Sequence, residues 1–213
     1  DNLGYLAARC EYYIDYPGIG FIFVFAFSFQ IYCDFSAYTD IARGTARLFG
    51  VKLRRNFLTP YFAVNPSDFW QRWHISLSSW VRDYVYIPFG GNRFGWIRNA
   101  VNLLLTMFLM GLWHGAGKFF IFWGVYHGLL ILLYRLIPFD KYLAKIFGNL
   151  WGKITSALLM FSFIYFGWLL FLADDKKNFS QILKSFTLDF EKFPPQFYGL
   201  GYGVLLFVIP IMI

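Results

Sequence analysis

This chain predicts an all-helical, polytopic membrane bundle, on three observations. Of its 213 residues, 58% are hydrophobic and only 15% charged, where soluble domains carry about 25% charged residues. Apolar runs recur along it at close to the roughly 20 residues that cross a bilayer. Aromatic side chains make up 24%, with 28 Phe, 15 Tyr and 8 Trp. Trp and Tyr suit the headgroup level, where an apolar ring can carry a polar tip.

Five runs stand out, at about residues 18–42, 97–117, 119–137 and 154–173, with a fifth beginning near Tyr198. Each is expected to be helical, because a spanning segment must satisfy its own backbone hydrogen bonds. Almost nothing separates the second run from the third, so residues 97–137 are expected to form a tight antiparallel hairpin. Residues 65–87 carry too many polar groups to span. Asn65-Pro66-Ser67-Asp68 has the signature of a helix start, with a capping Asn, Pro at the first position and Asp three residues on. One helix there would set Trp70, Trp73, Leu77, Val81 and Tyr84 on one face and Arg72, Ser79, Arg82 and Asp83 on the other. Such a helix lies in the membrane interface or dips into it. The chain opens at Asp1 and stops within the apolar Val208–Ile213 run, so residues 1–213 read as part of one larger membrane domain.

Charge sets the orientation and narrows the partners. Residues 43–98 hold Arg43, Arg47, Lys52, Arg54, Arg55, Arg72, Arg82, Arg93 and Arg98, and the next loop on that side adds Arg135, Lys141, Lys145 and Lys153. The opposite side has Lys118, Lys176, Lys177, Lys184 and Lys192. The imbalance places residues 43–98 in the cytoplasm. The net charge of +7 falls between apolar runs, which points to topology and lipid headgroups and away from nucleic acid. Two cysteines, Cys10 and Cys33, give no disulfide framework. The three histidines match no short metal-ligand pattern, and no metal is expected.

His114 is the residue most in need of explanation, because ionisable groups within a span are expensive and mark functional sites. At 100° per residue, Asn99, Asn102, Thr106, Trp113 and His114 fall within about a third of the helix circumference. Gly111, Gly115 and Gly117 beside it permit close helix approach. His74 sits at the edge of the aromatic stripe, where a ring at the headgroup level and a site residue are both reasonable. His127 reads as a helix-packing residue. Asp40 has Arg43 one turn on and so an ion pair in reach. Asp34, with Tyr38 on its face and no basic residue near, is the better polar-site candidate. Gly90-Gly91-Asn92-Arg93 is a turn whose amides could cradle an anion. One or two histidines without a metal suit general-base acyl transfer, since imidazole can take a proton from a hydroxyl as its oxygen attacks a thioester. The rival from another class is a proton-coupled transporter relaying protons through Asp34, His114 and His127.

Several blocks together resemble the membrane-bound O-acyltransferase family. They are Tyr32-Cys33-Asp34-Phe35-Ser36-Ala37-Tyr38-Thr39-Asp40-Ile41-Ala42, Asn56-Phe57 with Pro60-Tyr61, and Asp68-Phe69-Trp70-Gln71-Arg72-Trp73-His74-Ile75-Ser76-Leu77-Ser78. The last continues through Arg82-Asp83-Tyr84 and Ile87-Pro88 to Gly90-Gly91-Asn92-Arg93, and Gly111-Leu112-Trp113-His114-Gly115 completes the pattern. Gln71 stands where relatives often have Arg. The likeness is strongest to the branch that modifies bacterial polysaccharides such as alginate, with the D-alanyl-transfer proteins of teichoic acid second. It implies a bacterial inner-membrane enzyme with a tunnel between a cytoplasmic thioester donor, acetyl-CoA or an acyl-carrier thioester, and an acceptor on the far side. No permanently bound cofactor is implied. The acceptor would be an exported polysaccharide, or an extracytoplasmic partner protein that completes the transfer. By the same resemblance His114 is the catalytic histidine and His74 its supporting histidine. Asp34, Tyr38, Asn56, Trp70, Arg82, Asn92 and Trp113 are supporting or substrate-binding candidates.

Overall fold

The computed structural model describes residues 4–5, 14–173, 175–187 and 199, and the described residues form helices joined by turns, with no strand among them. Four helices are long and apolar enough to cross a membrane: α1 (Ile19–Leu48), α4 (Gly95–His114), α5 (Lys118–Leu136) and α6 (Phe139–Leu172). The chain is a multi-pass membrane protein. The run expected near Tyr198 lies outside the described residues.

Between α1 and α4 lie two short helices, α2 (Pro66–Arg72) and α3 (Ile75–Val81), followed by a wide π turn over Arg82–Tyr86. The single helix expected over 65–87 is therefore broken. Its start is as anticipated: the Asn65 side chain accepts from the Asp68 amide at 2.8 Å, and Pro66 holds the first position. Asp68 in turn accepts from the Val64 amide and pairs with Arg72 at 2.6 Å. The break falls at Trp73–His74, where His74 adopts the left-handed conformation (φ 42°, ψ 56°). That rotation reassigns the expected faces: Phe69, Trp73 and Val81 are buried, whereas Tyr84 is 68% exposed.

α6 begins 15 residues before the run expected at 154, because the basic stretch ahead of that run is also helical. Gly148 (φ 79°, ψ 172°) leaves the helical region and divides this stretch into two helices, a φ that suits a residue without a Cβ.

The chain divides into two units, residues 1–37 with 168–213, and residues 38–167. In the first, α7 (Lys176–Lys184) is capped by Asp175 and followed by Ser185, whose carbonyl accepts from the Gly20 amide at 3.3 Å. The Phe186 ring meets Phe21 edge-on at 4.7 Å. The second unit contains α2 to α5 and all three histidines.

Candidate functional site

α4 and α5 pack as a hairpin across Gly115-Ala116-Gly117, and glycine decides how closely. A Cβ on Gly124 would run into the Met107 carbonyl, and one on Gly111 into the carbonyl of Phe120. With backbones this near, the residues at the end of α4 face α5 directly. His114, the last residue of α4, is half-buried, and its ring stands 5.0 Å from Trp123 and 5.0 Å from Trp113, nearly perpendicular to both. Trp123 is fully enclosed, while Trp113 is 64% exposed and so departs from the buried stripe of Asn99, Asn102 and Thr106.

His74 reaches the same region from the α2–α3 break. The two imidazoles lie within electrostatic reach of each other. A left-handed conformation is uncommon for residues other than glycine, though histidine is among those that adopt it more often. It persists where neighbouring bonds over-determine it. Asn56 makes those bonds, its carbonyl accepting from the Ile75 amide and its side chain from the Ser76 amide, both at 3.0 Å. The Leu58 amide donates to the Arg72 carbonyl at 3.0 Å from the other side of the break. The His74 ring leans on Phe57 at 6.4 Å. Burial pushes its pKa below the ordinary histidine value, which keeps it neutral and able to accept a proton.

A cavity of about 630 Å³ opens beside α4. Leu103, Thr106, Met107 and Met110 line it, one face of the helix at three- and four-residue steps, and His114 follows four residues later on that stripe. Arg54, Arg82 and Arg135 give it three guanidinium groups, and Trp70 forms part of its wall. Arg135 donates to Asn99 near the start of α4, and Asn99 donates to the Tyr86 hydroxyl at 3.2 Å. Asn102 bonds the Gly91 carbonyl at 3.3 Å, so the Gly-Gly turn is fastened to α4 through its own backbone. From Asn99 to His114 the helix rises about 22 Å at 1.5 Å per residue. One stripe thus runs from a cationic, amide-rich end to an imidazole end, over an apolar floor.

Of the expected site residues, the structure groups His114, Trp113, His74 with Asn56 beneath it, Trp70 and Arg82 within residues 38–167. Arg82 pairs with Asp83 at 2.8 Å, and this hydrogen bond holds the Asp83 carboxyl below the usual range. Asn92 lines a smaller cleft with Trp96, Asn99 and Arg135. Asp34 is exposed on α1 in the other unit, and Tyr38 is 68% exposed on the same helix. The Asp40–Arg43 pair forms as expected, at 2.7 Å.

Sequence reasoning missed Trp123, Arg54 and Arg135 as site residues. Trp123, His127, Ile131 and Arg135 recur at four-residue steps on α5, a signal that was present. Arg135 counted there only toward topology.

The profile of the membrane-bound O-acyltransferase family matches residues 13–172. The peptidoglycan O-acetyltransferase of Helicobacter pylori is 41% identical over 159 residues, covering 75% of this chain and 30% of the relative. The probable alginate O-acetylase AlgI of Pseudomonas putida is 37% identical over 177 residues, covering 82% and 35%. The teichoic acid D-alanyltransferase of Bacillus subtilis is 34% identical over 160 residues, covering 70% and 40%. The chain spans about a third of the length of these relatives. With its matched profile extending over most of the residues and its site motifs set on one helical hairpin and the loop beside it, this chain belongs to the membrane-bound O-acyltransferase family.

Proposed function

We propose that the protein moves an acyl group, in the first instance acetyl, from a cytoplasmic thioester to hydroxyls of an exported polysaccharide or to a partner protein that passes it on. One observation carries this reading: the cavity-lining stripe of α4, cationic at the Arg135 end and leading to His114. An acyl-phosphopantetheine arm has matching chemistry, an anionic phosphate at one end, a thioester at the other and a slender chain between. Acetyl-CoA and an acyl-carrier protein both present that arm.

In this reading His114 takes the proton from the acceptor hydroxyl as its oxygen attacks the thioester carbonyl. The carbon–sulfur bond breaks, and the thiolate leaves with the proton returned by the imidazolium. His74, kept neutral by burial, orients the acceptor or shares that proton. The relatives named above act on peptidoglycan, alginate and teichoic acid, which supports a cell-envelope polymer as acceptor and the bacterial inner membrane as location. The teichoic acid relative keeps D-alanyl open as the second acyl group.

The test is turnover of labelled acetyl-CoA, or of a labelled acyl-carrier thioester, by membranes holding the full-length protein. His114→Ala should lower transfer by about 10²–10⁴-fold, the usual worth of a positioned acid–base group, with insertion unchanged. Wild-type transfer in that variant refutes the catalytic role. Proton-coupled solute uptake without acyl turnover would favour a transporter.

A further inference from the structure

His127 plays no part in the mechanism above, yet its surroundings are unusually specific. The residue is 2% exposed. Its ring stacks on Phe69 (6.1 Å, 10°) and meets Trp70 (5.3 Å, 76°), Trp123 (5.0 Å, 67°) and Tyr126 (5.4 Å, 76°) edge-on. α6 closes the cage: a Cβ on Gly167 would lie 2.8 Å from Nε2. Nδ1 is buried and has no hydrogen-bond partner among the described residues. A phenyl ring would fill this cage without stranding a polar atom, which is costly to leave buried and unpaired. Packing alone does not account for the imidazole.

Two neighbours suggest what does. Trp123 stands 5.0 Å from His127 and 5.0 Å from His114, so one indole separates the enclosed imidazole from the half-exposed one. Trp70 lines the large cavity, and its indole nitrogen is also buried without a hydrogen bond among the described residues. An indole N–H only donates, and an imidazole nitrogen without its proton accepts. The two stranded groups are complementary and sit on adjoining rings.

We propose that His127 is a positioning residue for transfer: when a thioester donor fills the cavity against Trp70, the indole N–H pairs with Nδ1 of His127, and Trp123, gripped between the two histidines, fixes the ring of His114. This inference rests on the catalytic reading of His114 given above. It makes occupancy of the donor cavity felt at the reacting imidazole, and it accounts for an acceptor atom inside an aromatic cage.

The test is a double-mutant cycle in the full-length protein, reading kcat and the KM for the donor separately. His127→Phe should lower kcat by up to about 10²-fold, the scale of a small misplacement of a reacting group, and should also raise the donor KM, because a bond made on donor binding favours that binding in turn. His127→Gln, which keeps an acceptor, should recover much of that loss. Trp70→Phe removes the donor, so the Trp70→Phe/His127→Phe pair should be no slower than His127→Phe alone. Wild-type kcat in His127→Phe, equal impairment in Phe and Gln variants, or losses that multiply in the pair each overturn the proposal. Should His127→Phe fail to reach the membrane, His127→Leu, which also lacks an acceptor, takes its place in the cycle with Trp70→Phe, and full additivity between those two sinks the proposal. His114→Ala run alongside separates the two readings, because activity there defeats the catalytic assignment, whereas an inactive His114→Ala beside a wild-type His127→Phe defeats only this one.

Discussion

The hairpin of α4 and α5 and the segment from Asn56 to Gly91 both deliver a histidine to the same region, by opposite means. The hairpin places His114 by rigid geometry: two regular helices, with Gly111 and Gly124 letting backbone touch backbone. The segment places His74 by irregular geometry, a left-handed residue between two seven-residue helices held by hydrogen bonds that Asn56 accepts and the Leu58 amide donates. A defect in the first should cost the fold. A defect in the second should cost activity first, because most of its neighbours need not move.

The strongest break of that contrast is Gly124→Ala. Its methyl group has no room against the Met107 carbonyl, and overpacking of this kind costs about 1–3 kcal/mol. Thermal unfolding in detergent should fall clearly, and transfer activity should fall with it. An unchanged midpoint would show that the hairpin gives way more easily than its close contact suggests.

Next comes Asn56→Ala, which strips the side-chain cap from the start of α3. Lost caps cost about 0.5–2 kcal/mol locally, so the midpoint should move less than for Gly124→Ala while kcat drops markedly. Equal stability loss in the two variants would erase the distinction between the regions.

A smaller effect concerns pH. Burial lowers the pKa of His74 in the folded protein, so below about pH 6.5 the unfolded chain binds more protons than the folded one, and stability falls as pH falls. This contribution is fully present above the unfolded value and lost on acidification toward the folded one. His74→Asn, which tolerates the left-handed backbone, should flatten the slope of unfolding midpoint between about pH 7.5 and 5.5, the range that brackets the ordinary histidine value. A slope unaffected by the substitution would mean that His74 is not the titrating group.

The smallest effect is Asp40→Asn. It removes an exposed pair one helical turn apart, and pairs of this kind are worth about 0.2–0.5 kcal/mol. Neither midpoint nor turnover should change beyond error.

The same contrast explains what the residues alone revealed. Long apolar runs and small residues beside His114 are enough to foresee a hairpin, because helix periodicity and glycine contact are local rules. The capping pattern of Asn65 and Asp68 was legible for the same reason. The break at His74 was not, since it depends on Asn56, nearly twenty residues earlier, reaching back to amides of α3. One helix over 65–87 satisfied every local rule and still failed. Trp113 likewise lies on the expected stripe but one residue from the end of α4, where burial no longer follows helical phase. Arg135 was visible as a basic residue, but its place on the cavity wall follows from how α5 docks on α4.

The proposed chemistry requires the donor to lie along α4 and end at His114. Carbethoxylation of histidines by diethylpyrocarbonate, followed residue by residue with mass spectrometry, tests this in the full-length protein. A saturating non-hydrolysable thioester analogue should slow modification of His114 severalfold, and the protection should vanish when Met110→Trp fills the stripe. An analogue that binds yet leaves His114 as reactive as before would contradict that placement.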